Sequence, residues 1–294
     1  MTVLQAIILG IVQGLTEFIP ISSTAHLVFA SRLIGLYNGV DAALKAEQTT
    51  ATIAVIQLGT LLAVLVYFAR DIVSITQAFV RDHVALISGK RRVTGGVQLS
   101  HDAWLGWLII IGSIPVAAVG LLLKHQIEGT FTKNLWVIAT MMIVVAVLLA
   151  LAEVVGKRER SMEQLGIGDA VTMGCAQVLA LIPGSSRSGS TIMGGLFAGL
   201  TREAAARFSF LLSIPAIAAS GILELKEAIH KLPAGSSLPL IVATIVSGLV
   251  GYASIWFLLR YLRTHSTGLF IVYRVIVGAA IIFALLGGYI SARA

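Results

Sequence analysis

Long apolar runs separated by short polar segments extend over most of the chain. Six of these runs are long enough to cross a bilayer, which takes about 20 helical residues. They predict transmembrane helices at about 51–69, 103–123, 134–152, 204–222, 239–259 and 269–290. The polar stretch from Arg70 to Asp102, which contains Lys90, Arg91 and Arg92, is predicted to begin with an amphipathic surface helix. The pattern therefore predicts an all-α integral membrane protein.

Two further regions place a polar interruption between apolar runs that are too short to span a bilayer. The runs are 3–19 and 24–36 in the first region, and 168–182 and 187–200 in the second. Pro20 lies at the first interruption and Pro183 at the second, and proline cannot continue a helix. A serine after each proline can cap the helix that follows. Each region is therefore predicted to form a re-entrant hairpin of two short helices joined by a break.

The two hairpins resemble each other in sequence. Residues 10–13 (Gly-Ile-Val-Gln) match 174–177 (Gly-Cys-Ala-Gln), and 19–23 (Ile-Pro-Ile-Ser-Ser) match 182–186 (Ile-Pro-Gly-Ser-Ser). Each hairpin precedes three full spans, and an odd number of spans places the second hairpin on the opposite face of the membrane. This order predicts an inverted-topology repeat. The repeats are predicted at about 1–156 and 157–294 of one membrane domain, residues 1–294.

Composition supports the membrane class. Of 294 residues, 57% are hydrophobic and 12% are charged, whereas soluble domains carry roughly 25% charged residues. The net charge of +7 comes from basic residues scattered over short loops, which argues against nucleic acid as a partner. Twelve Lys and Arg residues lie in 70–102, 153–203 and 260–268, and seven lie in 1–50, 124–133, 223–238 and 291–294. This excess predicts that the first group is cytoplasmic and that both termini lie outside.

Glu17 is the only carboxylate in the first forty residues. An ionised group in an apolar segment is costly and is usually functional. Gln13 lies four residues earlier, on the same helical face, and the two side chains offer oxygen ligands that suit a hard divalent cation. The alternative is a buried hydrogen-bonded pair that only holds helices together.

Ser22, Ser23 and His26 follow the first proline. Capping of the second short helix explains Ser22 as well as chemistry does. His26 comes three residues after Ser23, so the two can face each other on one helical turn. A serine beside an imidazole is suited to nucleophilic attack or proton transfer. The alternative is a structural histidine.

The second interruption, residues 183–191 (Pro-Gly-Ser-Ser-Arg-Ser-Gly-Ser-Thr), predicts a phosphate cradle. Glycine allows backbone N–H groups to approach a ligand closely, a helix that begins near Arg187 adds its positive end, and arginine pairs with phosphate oxygens. Ser186 and Thr191 would add hydroxyl donors. The hydroxyls that we expect to satisfy only backbone groups are those of Ser185, Ser188 and Ser190.

Arg274 is a second cation, located inside the last predicted span. It could serve the same site, or it could pair structurally with Glu153 or Glu224. The sequence does not decide among these alternatives.

These motifs resemble those of the undecaprenyl-diphosphate phosphatases, the bacitracin-resistance proteins of bacterial membranes. Residues 13–17 (Gln-Gly-Leu-Thr-Glu), followed by Pro20, Ser22 to Thr24 and His26, look like the family's first motif, (E/Q)-x-x-x-E with its histidine. Residues 183–191 look like its second, P-G-x-S-R-S-x-x-T. The motifs occur in the family's order, and length and hydropathy match over most of the chain.

The resemblance implies hydrolysis of a C55 polyprenyl diphosphate to the monophosphate and inorganic phosphate, which recycles the carrier lipid for peptidoglycan synthesis. It implies a divalent metal, Mg²⁺ or Ca²⁺, and a site open to the extracytoplasmic face of the bacterial plasma membrane. Glu17 and Gln13 would hold the metal, and His26 and Ser23 would carry out attack or proton transfer. The residues that would clamp the diphosphate are Ser22, Ser186, Arg187 and Thr191.

The competing hypothesis is a polyprenyl-phosphate transporter, because inverted repeats with broken helices are typical of transporters. The feature that favours an enzyme is Glu17 together with His26, since moving a lipid requires no acid–base pair. Expected partners are membrane lipid and the diphosphate lipid, with homodimerisation left open.

Overall fold

The structure of the protein is a computed structural model, which describes residues 1–88, 99–123, 134–232 and 235–292, without the side chains of 42–43 and 222–231. The predicted basic segment around Lys90, Arg91 and Arg92 lies outside these ranges. The described residues are almost entirely helical. Hydrogen bonding within each helix satisfies the backbone, which a chain in lipid requires.

Within the described ranges, six helices are long and apolar enough to cross a membrane. In chain order they are α3 (Ala42–Tyr67), α5 (His101–Leu122), α6 (Leu135–Val155), α9 (Arg202–Lys231), α10 (Ser237–Leu262) and α11 (Gly268–Leu286). The prediction of six spans is therefore confirmed. Helix α3 begins nine residues before its predicted span, and α9 continues nine residues beyond its own, because helices extend through polar flanks that hydropathy does not count.

Five shorter helices complete the described fold. They are α1 (Val3–Phe18), α2 (Ser23–Leu33), α4 (Ala69–Ile87), α7 (Ile167–Val178) and α8 (Arg187–Phe197). Helix α4 begins directly after α3, where an amphipathic helix was expected. The pairs α1–α2 and α7–α8 each contain a break at the predicted proline, and a short 3₁₀ turn, Leu179–Leu181, precedes the second break.

Glycines allow the short helices to approach the spans closely. A Cβ atom at Gly14 of α1 would lie 2.8 Å from the backbone nitrogen of Gly251 in α10, and one at Gly174 of α7 would lie 2.2 Å from the carbonyl oxygen of Gly112 in α5. Small residues at such crossings allow the backbone contact that drives helix association in lipid. The first helix of each short pair is thereby held against a long helix of the bundle.

The outer faces of the long helices are apolar. Exposed side chains include Leu62, Ile114, Ile245 and Phe283, which lie on four different spans. Inside, the rings of Phe18, Phe68 and Phe210 form a cluster, with centroids 5.4 and 6.3 Å from Phe210. Apolar residues therefore fill the interior and also form the outer surface of the long helices. An apolar outer surface fits a lipid environment.

Candidate active site

A cavity of about 130 Å³ lies between the two breaks. Its polar lining includes six of the residues predicted from sequence, which come from both halves of the chain: Gln13, Glu17, Ser22, Ser23, Ser186 and Arg187. Leu27, Val28 and Ile53 form part of its apolar wall. The structure thus brings the two distant motifs together around one space.

The backbone is constrained where each second helix begins. Ser22 precedes α2 with φ +79° and Ser186 precedes α8 with φ +69°. These angles lie in the left-handed region, which serine seldom adopts and which tends to occur at functional sites. The Ser186 hydroxyl accepts a hydrogen bond from the Gly189 N–H at 3.2 Å, whereas Ser22 makes no side-chain capping bond. Both helices direct their N-terminal N–H groups toward the breaks.

Gln13 and Glu17 interact as their spacing predicts. Gln13 Nε2 donates to Glu17 Oε2 at 3.1 Å and lies 3.5 Å from the Thr60 hydroxyl. Gln13 Oε1 is buried and has no hydrogen-bond partner within the described residues. A buried acceptor without a partner is unfavourable unless a ligand supplies one.

Arg187 faces Glu17 from the other half of the chain. Arg187 Nη1 lies 3.8 Å from Glu17 Oε1, and this nitrogen has no hydrogen-bond partner among the described residues. The contact is too long for a hydrogen bond. A charged donor is therefore available beside the cavity for an anionic ligand.

His26 does not pair with Ser23 as the spacing suggested. His26 Nδ1 lies 2.7 Å from the Ser22 carbonyl oxygen, and Nε2 lies 2.7 Å from the Tyr273 hydroxyl. A carbonyl oxygen only accepts, so Nδ1 carries a proton, and neutral His26 accepts from Tyr273 through Nε2. The expected serine–imidazole pair is therefore absent in this structure, because the ring lies against the Tyr273 ring instead.

Thr191 lies four residues after Arg187 in α8 and is not among the residues that line the cavity. Its hydroxyl donates to the Arg187 carbonyl at 2.8 Å and is hydrogen-bonded to the Ser209 hydroxyl. The expectation that Ser185 and Ser190 satisfy backbone groups is wrong, since both hydroxyls are buried without a partner in the described structure. The hydroxyl of Ser188 contacts that of Ser186 at 3.2 Å.

Among the described residues, Arg274 does not pair with Glu153, which was one of the two glutamates that the sequence suggested. Its five hydrogen bonds to described residues go to backbone carbonyls. Glu153 is bound by Arg158, Arg202 and Thr267, and the side chain of Glu224 lies outside the described residues. Three of these carbonyls, those of Pro20, Gly184 and Ser185, come from the breaks, which the sequence could not indicate.

Two of the residues around the site were not predicted from the sequence. Gln57 of α3 lines the cavity, and Tyr273 of α11 binds His26. The sequence signals for them are the amide of Gln57 within an apolar run and the position of Tyr273 next to Arg274. Neither signal separates function from packing without knowledge of which helices meet.

The residues present fit a divalent cation. The Glu17 carboxylate and the unpartnered Gln13 Oε1 share one side of the cavity, and Mg²⁺ typically takes one or two protein oxygens together with substrate phosphate oxygens. Among the described residues, no group of three or more His, Cys, Asp or Glu could hold a metal alone. The donor set thus suits a cation that a substrate helps to bind.

Comparison with known proteins gives a consistent result. The family model described as "Bacitracin resistance protein BacA" matches residues 6–280. A protein of Syntrophobacter fumaroxidans, named undecaprenyl-diphosphatase, is 51% identical, covering 96% of this chain and 97% of its own. Relatives with the same name from Chlorobium chlorochromatii and Mycolicibacterium vanbaalenii are 48% and 44% identical, covering 99% of this chain and 100% of their own. The chain belongs to the bacitracin resistance protein BacA family.

Proposed function

We propose that this protein is a multi-pass membrane phosphatase that hydrolyses undecaprenyl diphosphate to undecaprenyl phosphate and inorganic phosphate. The observation that carries the proposal is the meeting of Glu17, Ser23 and Arg187 in one cavity, in a chain whose relatives are named undecaprenyl-diphosphatases. The reaction would return carrier lipid to peptidoglycan synthesis and contribute to bacitracin resistance.

Positioning and electrostatics account for most of the catalysis in phosphoryl transfer. The free Nη1 of Arg187 would bind an oxygen of the diphosphate, and the N-termini of α2 and α8 would add two further positive ends. Ser22 and Ser186 would donate hydroxyl hydrogen bonds. These groups stabilise charge that accumulates on the phosphate oxygens as the bond breaks.

Glu17 and Gln13 would hold Mg²⁺ or Ca²⁺ against the diphosphate, and the bound cation would neutralise part of its negative charge. The cavity's apolar side chains, Leu27, Val28, Ile53 and Ile182, would receive the first isoprene units. The polar end of the cavity matches the diphosphate headgroup, and its apolar wall matches the isoprene chain.

Two routes of attack are compatible with this cavity. Ser23 is the first residue of α2 and lines the cavity, so its hydroxyl could attack the terminal phosphorus. This attack would break the bond to the bridging oxygen, release undecaprenyl phosphate, which takes up the serine proton, and leave a phosphoserine that water then hydrolyses to serine and inorganic phosphate. Alternatively, water attacks directly and Ser23 only orients the phosphate. If Ser23 attacks, we expect Ser23→Ala to abolish turnover and the wild-type protein to yield a phosphorylated form that can be trapped. Direct attack by water predicts neither result.

We also propose that the two helix pairs are re-entrant hairpins of an inverted repeat. The matched breaks, the positive φ angles at Ser22 and Ser186, and the equivalent close crossings at Gly10 and Gly174 support this arrangement. In this arrangement the active site and both termini face the extracytoplasmic side.

Labelling with a membrane-impermeant maleimide tests the orientation. Ser237, the first residue of α10, and Ser266, in the loop before α11, are both exposed and belong to segments predicted to face opposite sides. In a Cys175→Ser background, Ser237→Cys in right-side-out vesicles is expected to label at once, and Ser266→Cys only after permeabilisation. The reverse pattern would contradict the proposed orientation.

Phosphate release tests the function itself. Purified protein in detergent should release phosphate from undecaprenyl diphosphate with Mg²⁺ or Ca²⁺, and chelation should lower the rate at least tenfold, reversibly. The relatives are named as diphosphatases, and nothing observed favours a transporter. Protein that moves the lipid between leaflets but releases no phosphate would overturn the proposal.

A further inference from the structure

Arg274 makes an unusual set of contacts for a buried cation. Its side chain is fully buried, and its described hydrogen bonds all go to backbone carbonyl oxygens. Nε lies 3.1 Å from the Met142 oxygen and Nη2 lies 3.3 Å from the Met141 oxygen, both on α6. These two bonds fix the guanidinium plane against a long helix.

The remaining bonds reach both breaks. Nη1 lies 3.3 Å from the Pro20 oxygen in the first break. Nη2 lies 3.0 Å from the oxygens of Gly184 and Ser185 in the second. One guanidinium group therefore connects two breaks that are more than 160 residues apart in the chain.

These contacts control the orientation of peptides beside the cavity. The peptide bonds of the described chain are trans, so the N–H of each peptide points away from its carbonyl. Because the Ser185 carbonyl faces Arg274, the N–H of Ser186 is turned to the opposite side, where α8 begins. Ser186 itself has φ +69°, and such a conformation persists only when its surroundings enforce it.

We propose that Arg274 is a positioning residue, which clamps both breaks so that their N–H groups and serines converge on one diphosphate. The inference rests on the proposed phosphatase function. Lysine could not replace arginine here, since an ammonium is a compact charge and lacks the planar fork that spans carbonyls of separate segments.

Hydrogen exchange and kinetics on Arg274→Lys test the proposal together. The clamp predicts faster exchange in peptides covering both 19–24 and 183–188, although only α11 is changed. It also predicts that kcat, measured on monodisperse folded protein, falls about 10²-fold. Arg202→Lys is the matched control, because Arg202 is a partly buried arginine bound to Glu153 away from the cavity. It should lower the melting temperature and leave kcat within twofold.

Chemical rescue separates positioning from general stabilisation. In Arg274→Ala, added guanidinium should restore kcat saturably, whereas neutral urea should not. Faster exchange at one break alone, or an unchanged kcat in Arg274→Lys with an active wild type, would overturn the inference. If both breaks loosen but the wild-type protein releases no phosphate, the phosphatase proposal fails and the inference about catalysis fails with it, leaving only the structural clamp.

Discussion

Replacing Arg187 by alanine is expected to lower kcat/KM for undecaprenyl diphosphate by about 10³-fold, equivalent to about 4 kcal/mol of transition-state stabilisation. The reason is that Nη1 is a buried, charged donor without a hydrogen-bond partner in the described structure, next to the cavity. Arg187→Lys should recover part of the rate, because it restores the charge without the two-pronged geometry.

The measurement is steady-state phosphate release from detergent-solubilised protein, with folding checked by size exclusion and thermal melting. Arg207→Ala is the control, since Arg207 pairs with Asp71 at 2.6 Å and does not line the site cavity. Its activity should stay within twofold of wild type. Equal losses of the phosphate-release rate in Arg187→Ala and Arg207→Ala would show that Arg187 acts through general stability.

Glu17→Gln is expected to lower kcat by about 10²- to 10³-fold with little change in folding. The substitution keeps the shape and removes the charge, so the cavity loses the carboxylate that would hold the divalent cation. The metal concentration that gives half-maximal rate should therefore rise at least tenfold. A metal titration of the rate, with wild type in parallel, measures both effects.

Glu203→Gln serves as the matched carboxylate control, because Glu203 pairs with Arg263 at 2.8 Å outside the site. It should change neither the rate nor the metal dependence. A Glu17→Gln enzyme that keeps its rate and its metal dependence would remove Glu17 from the site. In that case the Gln13–Glu17 hydrogen bond would be the structural pair that the sequence left as an alternative.

Hydropathy was sufficient to predict the long helices. The apolar runs correspond to the six candidate spans, because lipid favours helices that satisfy their own backbone. Helix ends were predicted less well: α3 includes Lys45 and Gln48, and α9 continues to Lys231. Hydropathy reports which residues suit lipid, whereas helix ends depend on local hydrogen bonding.

The charged lining of the site could also be predicted from sequence, since charged residues within apolar runs are rare. Glu17 and Arg187 belong to such interruptions, and the structure places them 3.8 Å apart. Their roles in catalysis and metal binding stay predictions.

The contacts of His26 and Arg274 could not be predicted from sequence. His26 was expected to face Ser23 because of their spacing, but its ring binds Tyr273, which is 247 residues away. For Arg274 the sequence left open a role in the site or a pairing with Glu153 or Glu224, and its described hydrogen bonds go to backbone carbonyls. Ring orientation and carbonyl direction arise from packing between distant helices, and neither leaves a local pattern in the sequence.

The central claim is that residues of the two breaks act on one diphosphate. A double-mutant cycle in kcat/KM with Glu17→Gln and Arg187→Lys tests it most directly. Groups that act as a unit are strongly non-additive, so the double variant should lose little more than the worse single variant. Losses that simply multiply would mean that the two residues act independently, and that would contradict a shared site.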